Sequence, residues 1–183
     1  MAMSRFAGNL GALVIGVAAL PATAVAAQAD GSTSQAAAVS CHKSRAYTFS
    51  TSSGSGPVYL NVEGGSRKGA RVITWPWAGG QGNEKWCLTQ GPRGYGWNLR
   101  PWDKRNLCLD VPGAKYNKGQ GLIVWDCNGR KNQDFYVRPV TTDTSYTIIG
   151  PWEASHLKMH RGKNGRGSQV SLWPHLNLNA QWR

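Results

Sequence analysis

Few side chains in this 183-residue chain could make or break a covalent bond. Asp and Glu together number nine, and no serine stands in a nucleophile-elbow setting. The four histidines (His42, His156, His160, His175) are scattered, without the close Cys and His clustering that a metal centre needs. No metal, no cofactor and no catalytic activity are therefore expected. What recurs is a set of residues suited to holding things. Trp75, Trp125 and Trp173 are each followed by Asn, two variable residues and an aromatic: Asn83 with Trp86, Asn132 with Phe135, Asn179 with Trp182. An indole offers a flat apolar face and one N–H, and a carboxamide both donates and accepts. Such groups recognise a ligand or fill a core.

The elements that must position them repeat with the same period. Intervals of 50 and 48 residues separate the three Trp residues, inside the runs 72–75, 122–125 and 170–173, which marks a threefold internal repeat. Each unit carries four short runs of β-branched or aromatic residues divided by Gly, Pro, Asn and Ser clusters; in the central unit these are 107–111, 122–125, 135–137 and 146–149. No sustained helical period is present. The expected fold is all-β, a closed threefold structure of twelve short strands that hides its own edges. The third unit stops just after Trp182, short of its fourth run, while Tyr47-Thr48-Phe49 stands spare before the first and matches Tyr95-Gly96-Trp97 and Tyr146-Thr147-Ile148. The N-terminal run is expected to complete the third unit. Trp86, Phe135 and Trp182, with Leu60, Leu109 and Met159, are expected in the core.

Arg5, an apolar run over 10–20 and small residues such as Ala27-Gln28-Ala29 make residues 1–29 an expected secretory signal peptide, too short for a membrane span. Residues 30–43 follow as a flexible lead-in, and 44–183 form the folded domain, with repeats at about 57–104, 105–154, and 155–183 joined by 44–56. Export makes the four cysteines expected disulfide partners: Cys108 with Cys127 inside the central repeat, which leaves Cys41 to join Cys87. Lys and Arg number 21, for a net charge of +12. They are spread through the loops, so non-specific affinity for anionic polymers is expected and a nucleic-acid footprint is not.

The central repeat reads Asn106-Leu107-Cys108-Leu109-Asp110-Val111, Gly119, Val124-Trp125-Asp126-Cys127 and Asn132-Gln133-Asp134-Phe135. It resembles the ricin-type β-trefoil lectins and the related carbohydrate-binding modules of secreted bacterial glycosidases, over about residues 44 to 183. The closing Gln-x-Trp motif of that family stands here as Gln133-Asp134-Phe135, and more loosely as Glu84-Lys85-Trp86 and Ala180-Gln181-Trp182. The resemblance implies a β-trefoil fold and a carbohydrate site formed by Asp110, Trp125, Asn132 and Gln133. A pyranose presents a patch of C–H bonds and a rim of hydroxyls, so an indole face beside charged and amide hydrogen-bonding groups suits it. Gln133 would touch the sugar or brace Asn132 and Asp110. Ile123 stands where the family places a further polar contributor, two positions before the aromatic.

The other copies depart further. The first keeps Trp75 and Asn83 but has Asn61 in place of the aspartate, which implies a weaker second site; the third keeps Trp173 and Asn179 but has His160. The expected function is a secreted, non-catalytic lectin for polysaccharide or cell-surface glycan. The alternative is a lectin-like targeting or adaptor subunit of a secreted toxin or multiprotein assembly, its sugar site weak or vestigial. In that alternative Trp77, Trp97, Trp102 and Trp152 would form an aromatic patch for a protein partner.

Overall fold

Turn residues interrupt the apolar runs so often that no strand among the described residues exceeds seven residues. The structure is a computed structural model that describes residues 39–140, 145–163 and 165–183. The expected signal peptide and most of the lead-in lie outside the described residues. Twelve strands occur among the described residues: β1 (Ser50–Ser53), β2 (Gly56–Val62), β3 (Val72–Trp75), β4 (Trp86–Gln90), β5 (Trp97–Pro101), β6 (Leu107–Asp110), β7 (Ile123–Asp126), β8 (Phe135–Pro139), β9 (Thr147–Pro151), β10 (Lys158–His160), β11 (Ser168–Gln169) and β12 (Ser171–Trp173). Six short 3₁₀ turns connect them, and no α-helix occurs among the described residues. Nor is any described helix long and apolar enough to cross a membrane.

Each repeat contributes one hairpin to a cap: β2 with β3, β6 with β7, β10 with β12, all antiparallel. At the axis the hairpins are tied by a closed ring of backbone bonds. Val72 N–H donates to Leu122 at 2.9 Å, Leu122 to Val170 at 2.9 Å, and Val170 back to Val72 at 2.8 Å. All three side chains are buried, so the ring sits in a dry centre. The remaining strands make the barrel. β4 pairs β5 and β8 pairs β9, while the seams are made by Tyr47 with Trp86, Trp97 with Phe135 and Thr147 with Trp182.

The N-terminal run does close the third repeat. Ser50 N–H donates to the Arg183 carbonyl at 3.0 Å and Arg183 N–H returns the bond at 2.7 Å, the counterpart of the β4·β5 and β8·β9 pairings. Leu60, Leu109, Met159, Trp86, Phe135 and Trp182 meet in one buried cluster, as their repeat positions predict. Both disulfides form as expected, Cys41 with Cys87 and Cys108 with Cys127. The first pins the end of the expected lead-in, since Cys41 is buried at its attachment to β4. The second spans 19 residues and clamps the β6–β7 hairpin that carries Asp110 and Trp125. Replacing Cys108 and Cys127 together by alanine is expected to lower the unfolding free energy, read by extrapolation of urea curves, by about 3 kcal/mol, the closure entropy of a loop of this size.

Candidate functional site

The register of the β6–β7 hairpin decides what faces out. Leu107, Leu109 and Val124 turn into the core, so the strand alternation sends Asp110, Ile123 and Trp125 to the opposite face. Asp110 lies across from Ile123, and the 3₁₀ turn Lys131–Gln133 brings Asn132 and Gln133 up beside it. Both amides point their donors at one oxygen. Asn132 Nδ2 donates to Asp110 Oδ2 at 2.9 Å and Gln133 Nε2 donates to the same oxygen at 2.7 Å. Asn132 Nδ2 also reaches the Val111 carbonyl at 3.1 Å.

Gln133 belongs behind the site rather than in it. Its side chain has no exposed surface, its Nε2 also donates to the Asp126 carbonyl at 2.9 Å, and its Oε1 accepts from Asn128 N–H at 2.9 Å. Of the two roles open to it, only bracing fits. Asp110 is 3% exposed, yet it forms part of the lining of a cavity of about 810 Å³ together with Asn132, Ile123 and Trp125. Burial pushes its carboxyl above the ordinary value, against the opposing pull of the Gln133 and Asn132 bonds. Trp125 is 39% exposed and forms one wall. The floor is therefore a fixed acceptor and the wall an open indole face.

Several lining residues escaped the sequence reading, among them Tyr116, Arg130, Lys131 and Glu153. So did Lys68, whose Nζ lies 4.5 Å from the centre of the Trp125 ring and pairs with Asp126 Oδ2 at 2.5 Å. The arrangement recurs around the axis, with Lys118 Nζ over Trp173 at 4.9 Å and the Arg166 guanidinium over Trp75 at 4.7 Å. Each cation precedes a glycine with positive φ: Gly69 at 82°, Gly119 at 84°, Gly167 at 70°. Those glycines donate to Val124, Leu172 and Thr74, one residue before each tryptophan, which drops the cation onto the indole of the neighbouring repeat. The threefold cation-Gly pair was the legible signal.

All three repeats keep a cavity. In the first, about 500 Å³, Asn61, Trp75 and Asn83 come together, and Asn83 Nδ2 donates to Asn61 Oδ1 at 3.0 Å. Its carboxylate has moved rather than vanished. Glu84 occupies the Gln133 position, is fully buried, and accepts backbone N–H bonds from Ala78 at 3.1 Å, Gly80 at 2.5 Å and Gln81 at 2.9 Å. In the third, about 340 Å³, His160, Trp173 and Asn179 share the lining, and His160 Nε2 bonds the His175 carbonyl at 2.6 Å.

Each of the four outer tryptophans has a ring or cation partner of its own. Trp77 packs on Tyr59 and Trp97 on His42, each pair with ring centres 5.0 Å apart. Trp102 lies under Arg105, and Trp152 meets Tyr95 and Tyr136. No ring contact joins any two of them among the described residues. No group of acidic, His or Cys side chains among the described residues could hold a metal ion.

The family model of the ricin-type β-trefoil lectin domain matches residues 48–182. No curated protein matches the chain. Among solved structures, the designed threefold-symmetric protein ThreeFoil aligns with a TM-score of 0.64 at 24% identity, covering 75% of this chain and 96% of its own. A Macrolepiota procera ricin B-like lectin, solved with lactose, aligns at 0.59 and 17% identity over 74% of this chain and 92% of its own. The cytolethal distending toxin from Actinobacillus actinomycetemcomitans aligns at 0.56 and 16% identity over 73% and 88%.

Proposed function

The chain belongs to the ricin-type β-trefoil lectin domain family, and from that premise we propose that it binds polysaccharide or a cell-surface glycan without catalysing a reaction, chiefly through the cavity of the central repeat. One observation carries the reading: Asp110 is held by two amide donors on a single oxygen, at the floor of a cavity walled by an exposed indole. Oδ1 takes no donor from the described residues and is the acceptor left for a sugar hydroxyl. Trp125 supports stacking on the C–H face of the ring, and Lys68 holds the indole from the neighbouring repeat. The Asn61, Trp75 and Asn83 cavity is the weaker second site, its acceptor a neutral amide.

A single shallow site of this kind binds at roughly millimolar strength, about 4 kcal/mol, so useful retention on a polymer draws on more than one contact. Export through the N-terminal leader agrees with the two disulfides, which persist in oxidising compartments.

The test is retention on insoluble polysaccharides and a glycan panel at moderate salt. Asp110→Ala and Trp125→Ala are each expected to weaken binding by about tenfold or more, which is about 1.4 kcal/mol. Affinity in the unaltered protein is expected to fall as pH drops through the raised Asp110 value, because protonation removes a charged acceptor. Retention that survives both substitutions and disappears with added salt would instead make the protein a non-specific binder of anions.

A further inference from the structure

The third repeat rebuilds the cavity with its charge reversed. The strand that ends at Asp110, with Val111 next, in the central repeat ends at His160, with Arg161 next, in the third. The positions are equivalent by their backbone bonds: Val111 N–H donates to the Asn132 carbonyl at 3.0 Å, and Arg161 N–H to the Asn179 carbonyl at 2.9 Å. A buried valine has thus become a guanidinium. That guanidinium is poorly served. Among the described residues its Nε is buried without a hydrogen-bond partner, Nη1 reaches only the Gly162 carbonyl at 3.4 Å, and no carboxylate pairs with it.

Buried donors are ordinarily satisfied, and a charged planar donor set suits a carboxylate or sulfate above other acceptors. The cavity has the rest of what such a ligand needs. Arg161, Lys163, His160 and His175 line it with no carboxylate among them, and Trp173 supplies a half-buried indole. Ser171 restores a polar group at the position where the other repeats have Ile73 and Ile123, and its Oγ accepts from Trp173 Nε1 at 2.9 Å.

We propose that the third-repeat cavity is a separate subsite for a saccharide that carries an anionic substituent, carboxylate or sulfate, with Trp173 stacking on the ring and Arg161 and Lys163 taking the charge. The assignment rests on the carbohydrate-binding reading of the family fold but not on the central cavity.

Isothermal titration would compare trigalacturonate, galactose 6-sulfate, neutral galactotriose and inorganic sulfate on the full chain and on Arg161→Gln, Trp173→Ala and Asp110→Ala. At least one anionic saccharide is expected to bind about tenfold or more tighter than galactotriose, to lose about tenfold in Arg161→Gln and in Trp173→Ala, and to keep its margin over galactotriose in Asp110→Ala. Arg161→Gln removes no ion pair among the described residues, so the variant is expected to fold; Trp173→Ala reads the same site independently. Anionic saccharides that bind no tighter than galactotriose, or that bind undiminished in both third-repeat variants, would overturn the proposal. So would inorganic sulfate binding as tightly as the saccharides, which would leave a simple anion site. Failure of the central site shows separately, as polysaccharide retention indifferent to Asp110→Ala.

Discussion

Trp182→Ala is expected to remove about 3–5 kcal/mol of stability, the range for truncating a fully buried Trp, and in a domain whose whole margin is about 5–15 kcal/mol that leaves little cooperative structure. The side chain is fully buried in the core where the first and last segments of the fold meet. Its backbone exchanges bonds with Thr147, donating at 2.9 Å and accepting at 2.6 Å, and its neighbour Arg183 pairs with Ser50. The indole also donates Nε1–H to the Met159 carbonyl at 3.1 Å, as Trp86 Nε1 does to Leu60 at 3.0 Å. Alanine therefore opens a cavity, orphans a carbonyl and loosens the seam that the N-terminal run closes. Near-ultraviolet circular dichroism and urea unfolding would read the loss. Trp182→Phe is the control. Phe135 fills the same place in the central repeat, so the aromatic volume fits and the expected cost is about 1 kcal/mol, that of the missing hydrogen bond. A Trp182→Ala protein that unfolds cooperatively at an unchanged midpoint would mean that the barrel does not depend on this seam.

The threefold frame was legible because it rests on periodicity, which a sequence displays openly. The runs opened by Tyr47, Tyr95 and Tyr146 each fall at a seam, although the residues that meet there are Tyr47, Trp97 and Thr147, so the tyrosines themselves are out of register. Cysteine pairing followed from the same frame, since Cys108 and Cys127 belong to one repeat and Cys41 and Cys87 were left. That Asp110, Trp125 and Asn132 line one cavity was legible through the resemblance of the central repeat to lectins. What stayed hidden were relations between repeats. Lys68 acts on Trp125 across 57 positions, and a reading that aligns repeats one above another does not see that each cation serves the next. Gln133 was legible as important but not as buried, because a glutamine that braces and a glutamine that binds look alike in a motif. Glu84 was hidden for a related reason. Compared position by position, Asn61 is a lost carboxylate; compared across both positions, the acid stands at Glu84, where the central repeat has Gln133, and takes backbone N–H groups of its own loop.

That exchange predicts a large and reversible effect. Gln133→Glu would set a second carboxylate against Asp110 Oδ2, in place of a donor now at 2.7 Å, in a position with no exposed surface. Two buried like charges, with Asp110 reduced to the Asn132 donor alone, are expected to cost about 3–5 kcal/mol and to abolish central-site binding with it. The cost is pH-dependent in a definite direction. Mutual repulsion and burial raise the native-state pKa of the acid pair above its unfolded-state value, so the penalty is complete above the raised value and fades as pH falls towards the unfolded one. Asp110→Asn added to Gln133→Glu recreates the first-repeat pair, leaving one carboxylate and an amide beside it. Recovery should be partial, because Glu84 accepts three backbone N–H groups from its loop whereas the 133 side chain accepts one, from Asn128. In a double-mutant cycle of urea unfolding the two substitutions are expected to couple by about 2 kcal/mol in the stabilising direction. Strict additivity would mean that the acid in each repeat is tolerated for reasons of its own, and the exchanged pairs would then be two unrelated substitutions.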